Sequence, residues 1–493
     1  MIQKIKSFIS NNRREVLIIS VIALLALALR IYKIPQYLTF LGDEGRDVRV
    51  VRNLIQGDLV FIGPQTSIGN MYLGPLYYYM MAPFLWLWNL SPVGPAVMVA
   101  ILSTITTIFI WWATRTWFAP AVGLLASLFF ALSPVAIIYG RTSWNPNPMP
   151  FFALLSIWSI WQLWQHRRFI YIVVTAVALA FALQMHYLGL LLIPVLGIFW
   201  LITAIGIWSN EDQRAQFIRY SLFALLAFAV LMSPLVLFDL KHDLLNFNAF
   251  KKFFTNRQTT INLDPTKSNR FMLVINKFIS DLVLSTSALQ ATIASILMII
   301  LSTFYFIRSS SHKRQYTLLL VWIATGIFGL GLYKQHVYAH YFGFLYPAIY
   351  ILIAYLLWRL FKGRLKVLSI AAFVFLVSLS IQNSPLKQTP NRQLQRTEEV
   401  VDFIIDKSQG EPFNFALIAK QNYDESYRYF LENKEADFYR GEEKISDQLF
   451  VVCENKDCQP EGDPQYQVAI FGPAQTTDEW QIDHIKIFRL VHK

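Results

Sequence analysis

Apolar runs near 20 residues recur from Val16 to Ile381, separated by short polar or basic stretches. Such a run is long enough to cross a hydrocarbon core about 30 Å thick. The pattern predicts spans near 16–34, 95–113, 121–139, 150–165, 169–185, 188–207, 217–238, 284–307, 317–333, 341–358 and 366–382. From about residue 384 the apolar stretches shorten and polar residues take over. In that tail, 391–407 and Asp424–Leu431 read as helices. Phe413–Ile418, Leu449–Cys453, Gln467–Phe471 and His484–Val491 read as strands. The expected fold is a polytopic α-helical membrane protein of about eleven spans, residues 1–383, followed by a small extracytoplasmic α/β domain, residues 384–493.

Composition agrees. Residues are 55% hydrophobic and 15% charged, against about 25% charged in an ordinary soluble domain. The first apolar run has no small-residue cleavage site after it, so it reads as a retained span rather than a signal peptide. The net charge of +12 would suggest nucleic acid on a soluble protein. Here many basic residues flank spans, where orientation and lipid headgroups account for them. Membrane lipids, and no nucleic acid, are the expected partners. Cys453 and Cys458 are too few for a disulfide framework, and a bond between them stays open.

Charge also sets topology. Lys4, Lys6, Arg13 and Arg14 place the amino terminus in the cytoplasm of a plasma (inner) membrane protein. Arg115, His166-Arg167-Arg168, Arg214 with Arg219, Arg308–Arg314 and Arg359–Lys366 then fall inside, and the tail outside. Residues 75–91 are apolar enough to span, but that would put later basic clusters outside. Their Tyr and Trp density favours an interfacial or re-entrant helix, leaving 35–94 as one outer loop.

That loop holds the strongest candidate for chemistry, Gly42-Asp43-Glu44-Gly45-Arg46-Asp47. Charges beside hydrocarbon are costly, so paired carboxylates there point to function. Residues 43–56 read as an amphipathic helix, with Val48, Val51 and Ile55 on one face and Gly57 as its stop. Asp43 stands where an N-cap would be, which is a complete structural explanation of it. The functional alternative is a general base held at a helix start. Arg46 and its neighbours would meet a phosphate leaving group.

Other candidates lie in predicted outer turns. Arg141 precedes Trp144-Asn145-Pro146-Asn147-Pro148 and suits a phosphate, or is a snorkelling span-end arginine. His186 sits in a tight turn, where a satisfied turn histidine competes with substrate contact. The loop 239–277 carries Lys241, His242, Lys251, Lys252, Arg257, Lys267, Arg270 and Lys277, interleaved with Phe247, Phe250, Phe253 and Phe254. It suits a lipid phosphate or anionic headgroups. His336 and His340 have a helix-face spacing that can bind zinc, but no Glu accompanies them.

The order of these features resembles the GT-C superfamily of integral-membrane glycosyltransferases, in the branch similar to protein O-mannosyltransferases and to aminoarabinose and Rgt-type lipid-linked sugar transferases. The matching residues are Asp43-Glu44, Gly57-Asp58, Gly74-Pro75-Leu76-Tyr77-Tyr78-Tyr79, Arg115-Thr116-Trp117-Phe118, Leu132-Ser133-Pro134, Tyr139-Gly140-Arg141, Phe238-Asp239-Leu240-Lys241-His242 and His340-Tyr341 with Pro347. They cover about residues 16–382. The resemblance implies a polyprenyl-phosphate sugar donor, a site on the outer face and inversion at the sugar carbon. The acceptor is a protein, a lipid or a cell-wall glycan. It makes Asp43 the base and gives Glu44 the task of orienting the acceptor or a metal. Arg46, Tyr77, Tyr78, Arg141, His186, Lys241, His242, Lys334, His340 and Tyr341 become donor or substrate contacts. Several relatives carry an acid and a lysine just before the Pro-Leu-Tyr stretch. Leu73 and Gly74 stand there instead, so no cofactor is certain and a divalent metal is left open.

A transporter or flippase of lipid-linked sugars is the main rival, and a non-catalytic scaffold the next. Transporters place charges near the midplane of broken helices. The predicted spans 95–113, 121–139 and 284–307 carry none.

Overall fold

The computed structural model describes every residue except 1, 67–70, 256–268, 285–287, 309–310 and 456. The chain forms two compact units: residues 1–32, 59–80 and 97–389, and residues 33–58, 81–96 and 390–493.

The first unit is helical. Helices at Arg13–Ile31, Val93–Trp117, Pro120–Leu132, Met149–His166, Tyr171–Met185, Leu192–Ile207, Glu211–Lys241, Ala288–Arg308, Lys313–Leu332, Tyr346–Lys362 and Lys366–Gln382 coincide with the apolar runs. Among the described residues, six stretches are long and apolar enough to cross a membrane: Val93–Trp117, Tyr187–Ile207, Glu211–Lys241, Leu289–Arg308, Lys313–Leu332 and Ala339–Lys362. Pro120–Leu132, Tyr171–Met185 and Lys366–Gln382 are apolar but shorter. Two helices show what lipid does to sequence. Glu211–Lys241 exposes Leu222, Leu225, Leu226 and Val230, an outer surface that hydrocarbon would cover. Tyr346–Lys362 buries Ile349, Ile351, Ile353, Ala354 and Tyr355 on all sides, as a central helix must.

The predicted span 121–139 is broken. Its helix stops at Leu132 and a second turn runs Pro134–Tyr139. Pro134 has no N–H for the Phe130 carbonyl, and its ring disfavours a continuous helix. Arg30 fills the gap. It lies fully buried and donates Nη2 to Phe130 O at 3.3 Å, Nη1 to Ala131 O at 3.2 Å and Nε to Ser103 Oγ at 2.7 Å.

Residues 75–91 contain a 12-residue helix, Leu76–Leu87, with Pro83 inside it. At 1.5 Å per residue it is about 18 Å long, short of the ~30 Å core.

The second unit pairs outer-loop residues with the tail. Its helices are α1 (Gly42–Gln56), α2 (Gln393–Ser408), α3 (Glu425–Asn433) and α4 (Tyr466–Phe471). Its strands are β1 (Phe413–Ile418), β2 (Phe438–Tyr439), β3 (Gln448–Cys453), β4 (Ala474–Ile482) and β5 (Ile485–His492), in the order β2-β1-β3-β5-β4. β1 pairs parallel with β2 and β3, while β5 pairs antiparallel with β3 and β4. β1 and β3 are buried throughout, as central strands with covered faces require. Residues 467–471 are helical, not the expected strand. Gln465 Oε1 accepts the Gln467 N–H at 2.9 Å and starts that turn. The strand comes next, as β4, whose alternate residues face outward and whose polar Gln475, Thr477 and Glu479 hid it. Cys453 and Cys458 form a disulfide.

Candidate functional site

The acidic motif opens α1. The N-cap position belongs to Leu41, so Asp43 is the second helical residue and not the cap. Glu44 does the capping: its Oε2 accepts the Leu41 N–H at 3.0 Å. This satisfies one of the orphan donors of the first turn. Gly57 ends the helix at φ +115°, as expected.

The two adjacent carboxylates therefore sit in opposite environments. Glu44 is buried at 7% exposure. Burial pushes its carboxyl up to about 8; the Leu41 N–H opposes this and the Asp43 charge adds to it. Near pH 7 it is largely neutral. The Asp43 side chain is 46% exposed and faces the Arg46 guanidinium. Arg46 Nη1 meets Asp43 Oδ1 at 3.0 Å, and Arg46 Nη2 meets the buried Asp47 at 2.8 Å. The Tyr423 hydroxyl donates to the same Asp43 oxygen at 2.7 Å. The helix start favours that negative charge further.

The remaining arginines of α1 turn to the tail. Arg49 pairs with Glu425 and, at 3.0 Å, with Glu432; Arg52 pairs with Glu432 at 2.5 Å. Both are thus committed to α3, which leaves Arg46 as the arginine beside Asp43. Gly42 and Gly45 make this docking close. A Cβ at Gly42 would strike the Tyr423 ring, and one at Gly45 the Ser426 backbone.

In the helical unit, the loop 139–147 meets the 338–341 segment. The His340 ring lies 4.5 Å from Trp144, 6.0 Å from Tyr139, 5.7 Å from Tyr338 and 4.6 Å from Tyr341. His186 joins at 5.3 Å from Tyr341, and its Nδ1 accepts the Leu188 N–H at 3.1 Å. Arg141 is buried and donates Nη2 to Tyr32 O at 2.6 Å. A cleft of about 300 Å³, open mouth included, is lined by Ser103, Tyr139, Asn147, His340 and Tyr346. Tyr77 and Tyr78 are buried, and Tyr77 shares a 2.7 Å hydrogen bond with Ser143 of the same loop.

Other expected contacts have visible local jobs. His242 stacks on Phe238 and its Nδ1 lies 2.8 Å from the Phe238 carbonyl oxygen; Lys241 beside it is exposed. Asp239 caps the next helix, accepting the Asn246 and Phe247 N–H groups at 2.6 and 2.9 Å. Arg270 donates to Gln335 O at 3.0 Å, which ties the basic loop to the segment holding Lys334. Arg257 and Lys267 lie outside the described residues. His336 meets Tyr338 edge to face, and among the described residues no three His, Cys, Asp or Glu side chains group to hold a metal.

A family profile described as dolichyl-phosphate-mannose-protein mannosyltransferase matches residues 73–235. The architecture matches ArnT from Cupriavidus metallidurans bound to undecaprenyl phosphate, with a TM-score of 0.63, 13% identity, and 97% of this chain and 98% of that one covered. The chain has the GT-C fold. The apo form of that ArnT matches with a TM-score of 0.62 and 12% identity over 98% of each chain. The archaeal oligosaccharyltransferase AglB from Archaeoglobus fulgidus, in complex with an inhibitory peptide and a dolichol-phosphate, is similar at a TM-score of 0.53 and 12% identity. That match covers 85% of this chain and 64% of AglB. No curated protein matches by sequence.

Within this GT-C fold three functional-looking residues escaped the sequence reading. Gln184 occupies the space beside Gly74, so no side chain fits at position 74 without displacing it. Its Nε2 donates to Leu231 O at 2.7 Å and its Oε1 accepts the Leu76 N–H at 3.3 Å. A lone polar residue late in an apolar run was the available signal. Arg30 gave the same signal inside the first run. Tyr423 gave none, because its partner lies 380 positions away.

Proposed function

We propose that this chain is a glycosyltransferase that moves a sugar from a polyprenyl-phosphate donor to an acceptor hydroxyl, with inversion, at the outer face of the plasma membrane. The amino terminus lies in the cytoplasm and the 384–493 domain outside. Asp43 is the general base. Arg141, with the aromatic and basic residues around His340 and Lys334, receives the donor. The carrying observation is the split between two neighbouring carboxylates. One is buried and largely neutral; the other is half exposed and held by Arg46 and the Tyr423 hydroxyl at a helix start. Pairs of acids with divergent environments mark acid–base assignments. The undecaprenyl phosphate in ArnT and the dolichol-phosphate in AglB support a long isoprenoid phosphate as the donor carrier. Glu44, engaged in capping, serves the site's shape rather than a metal.

The test is transfer of labelled sugar from a panel of short polyprenyl-phosphate sugars by purified protein in detergent. Turnover with at least one donor, lost in Asp43→Asn while the protein stays folded, is the expected result. Neither turnover nor donor binding across the panel would contradict the reading and favour a transporter or scaffold.

A further inference from the structure

Asp43 is gripped on one oxygen. Oδ1 accepts both the Tyr423 hydroxyl, at 2.7 Å, and Arg46 Nη1, at 3.0 Å; the same Arg46 nitrogen reaches the Tyr423 oxygen at 3.2 Å. Among the described residues Oδ2 carries no hydrogen bond, and the side chain is open to solvent. A carboxylate held by two donors on one oxygen has its plane and the direction of the other oxygen restricted.

The tail segment that brings Tyr423 is itself held in place. Asn422 Oδ1 accepts the Gly42 N–H at 2.8 Å. Asn422 Nδ2 donates to Glu454 Oε1 at 2.8 Å, and the Tyr427 hydroxyl donates to that same oxygen at 2.8 Å. Glu454 follows the last residue of β3, and its N–H bonds to Ile418 O of β1 at 3.1 Å. A continuous run of hydrogen bonds therefore links the sheet to the first turn of α1. The glycines at 42 and 45 allow the approach: the Tyr423 ring and the Ser426 backbone fill the places of their missing side chains. Simple docking of α1 on α3 needs the ion pairs and the glycines, but it does not need a phenol hydroxyl aimed at the one exposed carboxylate of the motif.

We propose that Tyr423 is a positioning residue for Asp43: by holding Oδ1, its hydroxyl presents Oδ2 to the acceptor as the proton-accepting oxygen. The proposal rests on Asp43 being the base. In the transfer step, the acceptor O–H proton passes to Oδ2 while the acceptor oxygen bonds to the sugar carbon. The bond from that carbon to the phosphate oxygen breaks, and the lipid phosphate leaves with the electron pair. Tyr423 keeps its proton throughout. Burial pushes its phenol well above the ordinary range, Arg46 pulls against this and the Asp43 charge adds to the rise. The C-terminal domain thereby contributes to the reaction centre through a hydrogen bond rather than by touching substrate.

The experiment compares full-length wild type, Tyr423→Phe, Asp43→Asn and the double variant in one donor assay. Tyr423→Phe keeps the ring against Gly42 and removes only the hydroxyl. Losing a hydrogen bond to a charged group predicts a kcat lower by roughly 10- to 100-fold, with the donor KM and melting temperature unchanged. In the Asp43→Asn background the same substitution should add no further loss, because residues acting as one unit are non-additive. A wild-type or raised kcat in Tyr423→Phe, with Asp43→Asn inactive, overturns the Tyr423 proposal alone. An equal fold-loss in both backgrounds also overturns it, since Tyr423 would then act independently of Asp43. Wild-type turnover in Asp43→Asn overturns the base assignment and this proposal together.

Discussion

The α1–α3 contact and the cluster around His340 solve the problem of polar groups near a membrane in opposite ways. On α1, charge stays charged: Arg46, Arg49 and Arg52 each meet carboxylates at the edge of solvent. Around His340 the polar atoms sit among packed rings, Trp144 edge-on and Tyr338 stacked, and Arg141 is buried with a backbone carbonyl on its Nη2. The first arrangement leaves the Asp43 side chain half exposed beside Arg46. The second offers flat, largely apolar surfaces with a few fixed donors, which suits binding. Glu44 is the exception on α1, a carboxyl treated as an interior group.

That exception gives the largest expected effect. The folded Glu44 carboxyl titrates near 8, above its usual 4.5. Its contribution to stability is therefore fully present below about pH 4.5 and is lost as pH rises through about 8. Glu44→Gln, which can still accept the Leu41 N–H, removes this titration. At pH 9 it should be more stable than wild type by on the order of a few kcal/mol. Melting temperatures across pH 5–9 check this, and parallel curves would erase the contrast between the two acids.

Next in size is the glycine seat. Gly45→Val drives a branched side chain into the Ser426 backbone. Such overpacking costs about 1–3 kcal/mol, so thermal unfolding should shift down and protease should reach the α1–α3 contact sooner. An unshifted midpoint would mean the contact is looser than described. A smaller effect is expected from His340→Leu, which replaces a ring packed on Trp144 and Tyr338. Aromatic pairs add about 0.5–1.5 kcal/mol beyond area. The donor KM should rise while kcat holds, and a kcat loss without a KM change would place His340 in the chemistry instead. Smallest is the Arg52–Glu432 pair, only partly buried. A double-mutant cycle to alanine should give about 0.2–1 kcal/mol, weakening with salt.

Much of the fold was legible because lipid imposes a long, uniform apolar signal. The eleven helices follow the runs, and the helix at 43–56, its glycine stop and most tail elements were also readable. What escaped depended on partners distant in sequence. The motif acids were visible, but not that Glu44 rather than Asp43 would serve the cap, since either can reach an N–H of the first turn. The span expected over 121–139 ran through Pro134, and the break there exposes the Phe130 and Ala131 carbonyls that Arg30 covers. Residues 467–471 have strand-like composition, yet one capped turn fits between β3 and β4 and the ladder goes to the more polar stretch after it. Only the tail's approach explains Gly42 and Gly45.

The most direct measurement is kcat for Asp43→Asn and Glu44→Gln side by side, in one preparation with one donor near pH 7. A general base at Asp43 predicts a loss of about 10²- to 10⁴-fold for Asp43→Asn, and little change for Glu44→Gln, whose carboxyl is already largely neutral. A dead Glu44→Gln beside an active Asp43→Asn would contradict it.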